Sequence, residues 1–268
     1  MKTTTKTARQ LAKTIKSLKE PVGARNEYLR ELLSILKAIS RDFEETINKR
    51  LKTPLYTADS LEDDLKEDIE KVIKAWSGEA FRRLAFNRAE RFVLSVVKST
   101  SKRFGIDRFK SPLIQSYLKR SIALNTQLIT SLASDHANAI ANLVFQNVTL
   151  GARPTAIVEA IKTYGVTKAR AKLIAFDQVA KALGQISRLE QQSAGFEYFR
   201  WLTSKDERVR EAHKKLAERK TPYGIGVYRW DDPPTIDGRK VIPGTDIRCR
   251  CVAIPVPDWE VKEFQGKK

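Results

Sequence analysis

From Glu27 to about Gly195 apolar side chains recur three and four residues apart, and breakers fall only where a helix would have to end. This period commits the backbone to helices whose apolar stripes must be buried against one another. Five or six helices fit the pattern. Residues 27–50 form one, stopped before Pro54, whose ring disfavours a helical residue ahead of it. Asp59 and Ser60, with Glu62 and Asp63 three residues on, begin a long helix through Trp76, Phe81, Leu84 and Phe92 toward Gly105, with Gly78 as a kink. The next starts at Ser111 with Pro112 in its first turn and runs to about Val148. A short helix covers Pro154 to Tyr164, and Thr167 caps a last one through Ala171, Ile174, Val179, Leu183 and Ile186 that closes at Gly195.

After Gly195 prolines, glycines and tryptophans gather. Helical periodicity survives there only from Ser204 to about Arg219, where Ser204 and Glu207 read as a capping box. Val227 to Trp230 and Ile247 to Ile254 read as short strands around a turn-rich segment. The fold class is therefore mainly α with a small α+β C-terminal domain, in which long helices precede a compact Trp/Pro/Gly-rich unit with short strands. Three segments follow: a basic amphipathic arm (1–20), a helical domain (21–195) and the small α+β domain (196–268). Trp201, Trp230 and Trp259 are expected to anchor the core of the last.

Fifty Lys and Arg against 32 Asp and Glu leave a formal charge of +18, well beyond the roughly 2 to 8 that solubility favours in a small domain. A polyanionic partner follows, either nucleic acid or an anionic surface. With 41% hydrophobic residues the chain can bury a core, and no run reaches the ~18 apolar residues of a spanning helix. No signal peptide is recognisable at the N-terminus, so the chain is read as soluble and made in the cytoplasm, with no membrane partner.

The charge is concentrated in two places. Lys2, Lys6, Arg9, Lys13 and Lys16 recur at helical spacing opposite Leu11, Ile15 and Leu18, a basic amphipathic helix suited to DNA, an anionic surface or a partner's groove. Between residues 81 and 120, Arg88, Arg91, Lys98 and Lys102 line one helical face, turned away from Phe81, Ala85, Phe92 and Val96. Such a stripe offers phosphate contacts along a rod without side chains that read base edges, so binding would be nonspecific and salt-sensitive. A solvated face, or one meeting an acidic protein, is the other reading of each.

The C-terminal region carries a more specific pattern. Trp201, Thr203, Asp206, Arg208, Val209, Arg210 and His213 stand in the order W-x-T-x-x-D-x-R-V-R-x-x-H, and Pro243-Gly244 leads to Cys249-Arg250-Cys251. Over about residues 140–255 this order resembles the phage Mu F-like minor head proteins, also called the phage head morphogenesis family. The lead-in helix differs from the family's usual Ala-Arg-Thr-Glu, reading Ala175-Phe176-Asp177-Gln178. The resemblance implies that residues 196–268 form a head-morphogenesis domain. It also implies a structural minor head protein of a tailed bacteriophage, inside the capsid of the virion. Its partners would be the portal protein, the packaged double-stranded DNA and scaffolding or major head protein.

The motif residues have a chemistry of their own. If Ser204 to Arg219 is one helix, Asp206 and Arg210 pair at i,i+4, and His213 lies on the same face. If Cys249 and Cys251 lie on a strand, both thiols point to one side. Two thiols then meet one imidazole, and His213, Cys249 and Cys251 with Asp206 as fourth ligand would suit tetrahedral zinc. The alternative is a buried pair of small apolar cysteines beside a hydrogen-bonded histidine. No cofactor other than that zinc is expected.

His136 and His213 are the only histidines, and no nucleophile elbow, phosphate loop or metalloprotease motif occurs. No catalytic residue is assigned and an enzyme is not expected. The competing functions are a nuclease or toxin-like effector packaged with the genome, and a cellular DNA- or membrane-binding protein.

Overall fold

A computed structural model describes residues 20–51, 58–99, 111–164 and 166–266. Six helices lead: α1 (Val22–Leu51), α2 (Ala58–Ala75), α3 (Glu79–Ser99), α4 (Pro112–Thr149), α5 (Pro154–Thr163) and α6 (Val166–Ser193). They are followed by β1 (Tyr198–Leu202), α7 (Glu211–Glu218), β2 (Lys220–Thr221), β3 (Gly224–Ile225), β4 (Val227–Arg229), β5 (Thr235–Ile236), β6 (Arg239–Lys240), β7 (Val252–Val256) and α8 (Asp258–Gln265). The chain is thus mainly α with a small α+β C-terminal region, as the sequence predicts. The basic arm 1–19 lies outside the described residues.

Two compact units form, and neither is continuous in sequence. Among the described residues, one comprises 25–51, 58–92, 120–164 and 166–175, the other 20–24, 93–99, 111–119 and 176–266. This division differs from a cut at residue 195, because the second half of α6 packs with the C-terminal strands and loops through contacts described below.

In the first unit α1 buries Tyr28, Leu32, Ile35, Leu36, Ile39, Phe43 and Ile47, one stripe of a 3.6-residue period. Tyr28 stacks on Phe92 of α3 with ring centroids 3.9 Å apart, and its hydroxyl donates to Asn125 Oδ1 of α4 at 3.0 Å. A single helix kinked at Gly78 was expected over residues 59–105; instead the helix stops at Ala75 and a new one starts at Glu79. The reason is tertiary. The Trp76 N–H makes the last helical bond, to Val72 O at 3.2 Å, while its indole Nε1–H donates to Asp42 Oδ2 at 2.9 Å and its ring packs edge-on against Phe81 at 5.2 Å.

In the second unit β1 is the central strand of an antiparallel sheet ordered β4-β1-β7. Trp201 faces Ala253 across the β1–β7 ladder, and Phe199 faces Tyr228 across β1–β4. Alternation sends Phe199 and Trp201 to one buried face, where they pack with Leu216, Tyr228, Trp230, Ile242 and Ala253. Phe199 stacks on Trp230 at 4.0 Å. Trp259 lies outside that cluster, partly exposed on α8.

The loop at Pro243-Gly244 lies directly on α6. A Cβ on Gly184 would meet Pro243 O at 2.6 Å, too close for any side chain. Gly244 supplies the matching left-handed turn with φ +87°. Two further bonds hold the chain to the same helix: Gln191 Nε2 donates to Ala253 O at 3.0 Å, and Arg248 N–H to Asp177 Oδ1 at 3.1 Å. The segment 243–253 is therefore fixed at both ends.

Candidate functional site

His213 comes from α7, which is shorter than the sequence predicts. Residues 203–210 are turn and bend, and the helix runs only from Glu211 to Glu218. The expected capping box at Ser204 and Glu207 fails because Lys205 has a left-handed φ of +58° and Asp206 binds elsewhere. The Asp206 carboxylate accepts the Arg208 backbone N–H at 3.0 Å and the Arg250 guanidinium at 2.7 Å. The predicted Asp206–Arg210 pair does not form. Arg210 instead donates through Nη2 to Ile247 O at 2.6 Å and lies 3.8 Å from Asp246.

The cysteines also reach His213 by a route other than the one foreseen. Residues 247–251 precede the strand, which begins at Val252. Arg248 takes φ +57°, and the Cys249 N–H closes a turn onto Asp246 O at 2.9 Å. The Asp177 bond to the Arg248 N–H secures this strained residue in place. The outcome is the predicted convergence: Cys249 Sγ and Cys251 Sγ lie 3.6 Å and 3.5 Å from His213 Nδ1. All three residues are buried, and their ligand-type atoms fall within 4.8 Å of one another.

Asp206 is not among them, which corrects the expected four-ligand set; its carboxylate is taken by Arg250 and the Arg208 N–H. The acid that does meet His213 is Asp246, whose Oδ2 lies 3.0 Å from Nε2. Sequence reasoning passed over Asp246, although it stands three residues before Cys249 inside the Pro-Gly turn. Trp201 packs its ring edge-on to His213 at 5.4 Å. Its buried indole N–H has no hydrogen-bond partner of normal geometry, and its influence falls on Cys251, where it favours the thiolate.

The two thiols are electrostatically unequal. The hydrogen bond from Cys251 is the largest influence on Cys249 and lowers its pKa to about 6, against burial, which raises it. The same bond and burial together push Cys251 well above the usual thiol range. The two thiols share a hydrogen bond and titrate as a pair.

Three of the predicted DNA contacts fall within the described residues. Lys2, Lys6, Arg9, Lys13, Lys16 and Lys102 lie outside the described residues. On α3, Arg88 forms an ion pair with Glu31 of α1, and Arg91 reaches the same carboxylate at 3.4 Å while staying largely exposed. Lys98 is exposed near the helix end. Of these three, Arg88 and Arg91 both meet Glu31.

His136, the other histidine, sits in the first unit between Ser40 Oγ, 3.0 Å from Nε2, and Thr167 Oγ1, 2.9 Å from Nδ1. Burial lowers its pKa to about 4. It is a buried structural hydrogen-bond bridge, and Thr167 spends its hydroxyl on it.

Comparison with known proteins places this geometry in context. Residues 138–254 match the family described as Phage Mu protein F like protein, a range that contains every motif residue from Trp201 to Cys251. The chain is also 32% identical over 149 residues to an uncharacterized protein of Haemophilus influenzae. That alignment covers 55% of this chain and 31% of the relative, so the chain spans about a third of the relative's length. No solved structure matches the chain.

Proposed function

We propose, from the match of residues 138–254 to the phage Mu protein F like family, that this chain is a structural minor head protein of a tailed bacteriophage. In this reading it sits inside the capsid near the portal, takes part in head assembly, and touches packaged double-stranded DNA without reading its sequence. The family match carries the proposal. It is supported by the way the motif is spent on contacts within the domain: Asp206 pairs with Arg250, Asp246 meets His213, Arg210 donates to Ile247 O and Trp201 packs on His213.

The net charge of +18 supports the genome contact, because a protein enclosed with densely packed phosphate gains from cations on its surface. Arg82, Arg83, Arg91 and Lys98 are exposed on α3, and Lys2, Lys6, Arg9, Lys13 and Lys16 of the N-terminal arm add to the basic charge. Among the described residues no helix is long and apolar enough to cross a membrane. The partners we propose are the portal, the DNA, and scaffolding or major head protein.

The test is to purify DNA-filled particles made with a tagged copy of this chain. Quantitative mass spectrometry should find the tag in purified particles, and protease should reach it only after the shells are opened. Co-expression with the portal should yield a co-purifying complex. A tag confined to the soluble lysate, absent from particles, would refute the reading.

A further inference from the structure

We propose that His213 Nδ1, Cys249 Sγ and Cys251 Sγ bind a zinc ion, with Asp246 orienting the imidazole from behind and water completing the tetrahedron.

Distances give the first argument. With zinc–sulfur bonds of about 2.3 Å and zinc–nitrogen bonds of about 2.0 Å, a tetrahedral ion sets nitrogen and sulfur about 3.5 Å apart. The two sulfurs stand 3.6 Å and 3.5 Å from Nδ1, so a metal fits with almost no movement of the ligands. Both sulfurs approach the same ring nitrogen, so all three candidate donors face one point.

The second argument is the far side of the ring. Asp246 Oδ2 lies 3.0 Å from Nε2, so in the tautomer that carries its proton on Nε2 the carboxylate accepts that N–H and Nδ1 is the bare nitrogen facing the sulfurs. A carboxylate behind a ligating histidine is the usual outer-sphere support of a metal site. Arg210 holds the carboxylate side in turn, through Ile247 O at 2.6 Å and Asp246 at 3.8 Å.

Third, the cluster keeps a spare donor. The Trp201 indole N–H is buried without a hydrogen-bond partner, on a ring that meets His213 edge-on at 5.4 Å. Thiolate and imidazole donors together select a borderline-soft ion over magnesium or calcium. The left-handed turn at Arg248, pinned by Asp177, is the local device that brings both thiols of a Cys-x-Cys pair to one point.

The site does not depend on the head-protein reading, and the test separates the two because it uses the purified full-length chain without phage components. The reduced chain, produced in zinc-supplemented medium and dialysed, should retain about one zinc equivalent by elemental analysis. Cobalt(II) added to the metal-free chain should produce a thiolate-to-cobalt charge-transfer band that zinc displaces. Cys249→Ser with Cys251→Ser should abolish that band. Asp246→Asn should keep the band and weaken cobalt affinity by about 10- to 100-fold. If the folded, reduced wild-type chain retains no zinc and develops no charge-transfer band, the proposal is overturned, and likewise if the double serine variant binds metal as well as wild type.

Discussion

Protonating His136 should unfold this protein from the inside. The imidazole is buried, and its two ring nitrogens are bonded to Ser40 and Thr167 hydroxyls in a site that burial tunes for the neutral form. In the unfolded chain the ring takes a proton near pH ~6.5; in the folded chain it does so at about 4. Between these values the unfolded state binds more protons, so stability rises with pH. The contribution is fully present above about 6.5 and is lost as pH falls through about 4. A shift from ~6.5 to about 4 corresponds to about 3 kcal/mol of stability lost between roughly pH 7 and pH 4. His136→Asn removes the titrating ring, so its urea midpoint should fall less over that range than that of wild type, the difference approaching the same figure. Because the chain has two histidines, a single variant assigns both imidazole signals in a proton NMR titration. A His136 signal that titrates at its ordinary value, or equal acid sensitivity in the two proteins, would refute this reasoning.

Three other outcomes follow from the structure. Gly184→Ala forces a Cβ to 2.6 Å from Pro243 O, so the loop must move off α6; a loss of about 1–3 kcal/mol in urea unfolding is expected, together with faster reaction of Cys249 and Cys251 with a thiol reagent. Asp177→Ala strips the acceptor from the Arg248 N–H and should cost about 1–3 kcal/mol by the same measurement, with an unchanged midpoint counting against the anchor role. In duplex-DNA titrations at several salt concentrations, Lys98→Ala should flatten the log–log slope by about 0.9, whereas Arg88→Ala should leave it nearly unchanged because Glu31 already occupies that guanidinium. Equal slopes for the two variants would remove α3 from the interface.

Most of the helical architecture was legible because its determinants are local. Pro112 and Pro154 open helices, and apolar residues three and four apart mark the buried stripes, so α1, α4, α5 and α6 fall close to their expected bounds. The α2–α3 break was legible only as a kink, since the Trp76 indole at its edge is held by Asp42, a partner 34 residues away. Strand β1 was overlooked although Tyr198 to Leu202 alternates buried and less buried residues, because Trp201 was read for its place in a motif instead. Glu31 lies 57 residues before Arg88, a separation at which periodicity carries no information about pairing. Local pattern therefore located the basic residues on α3 and overestimated how many of them are free.

The motif shows why a spacing can be specific even where the secondary structure inferred from it is wrong. Between Trp201 and His213 the chain needs a loop, because Asp206 must accept Arg250 from the cysteine segment and Arg210 must donate to Ile247 in that same segment. A helix through Ser204 to Arg210 would point both side chains along one face and satisfy neither partner. The two segments are cross-clamped by these bonds, and the clamp brings Asp246, Cys249 and Cys251 around one imidazole. The order of charges, histidine and cysteines thus encodes a pairing between two loops. Gly184 and Asp177 then fix the second loop to α6, so the cluster inherits the rigidity of a 28-residue helix instead of the mobility usual for loops.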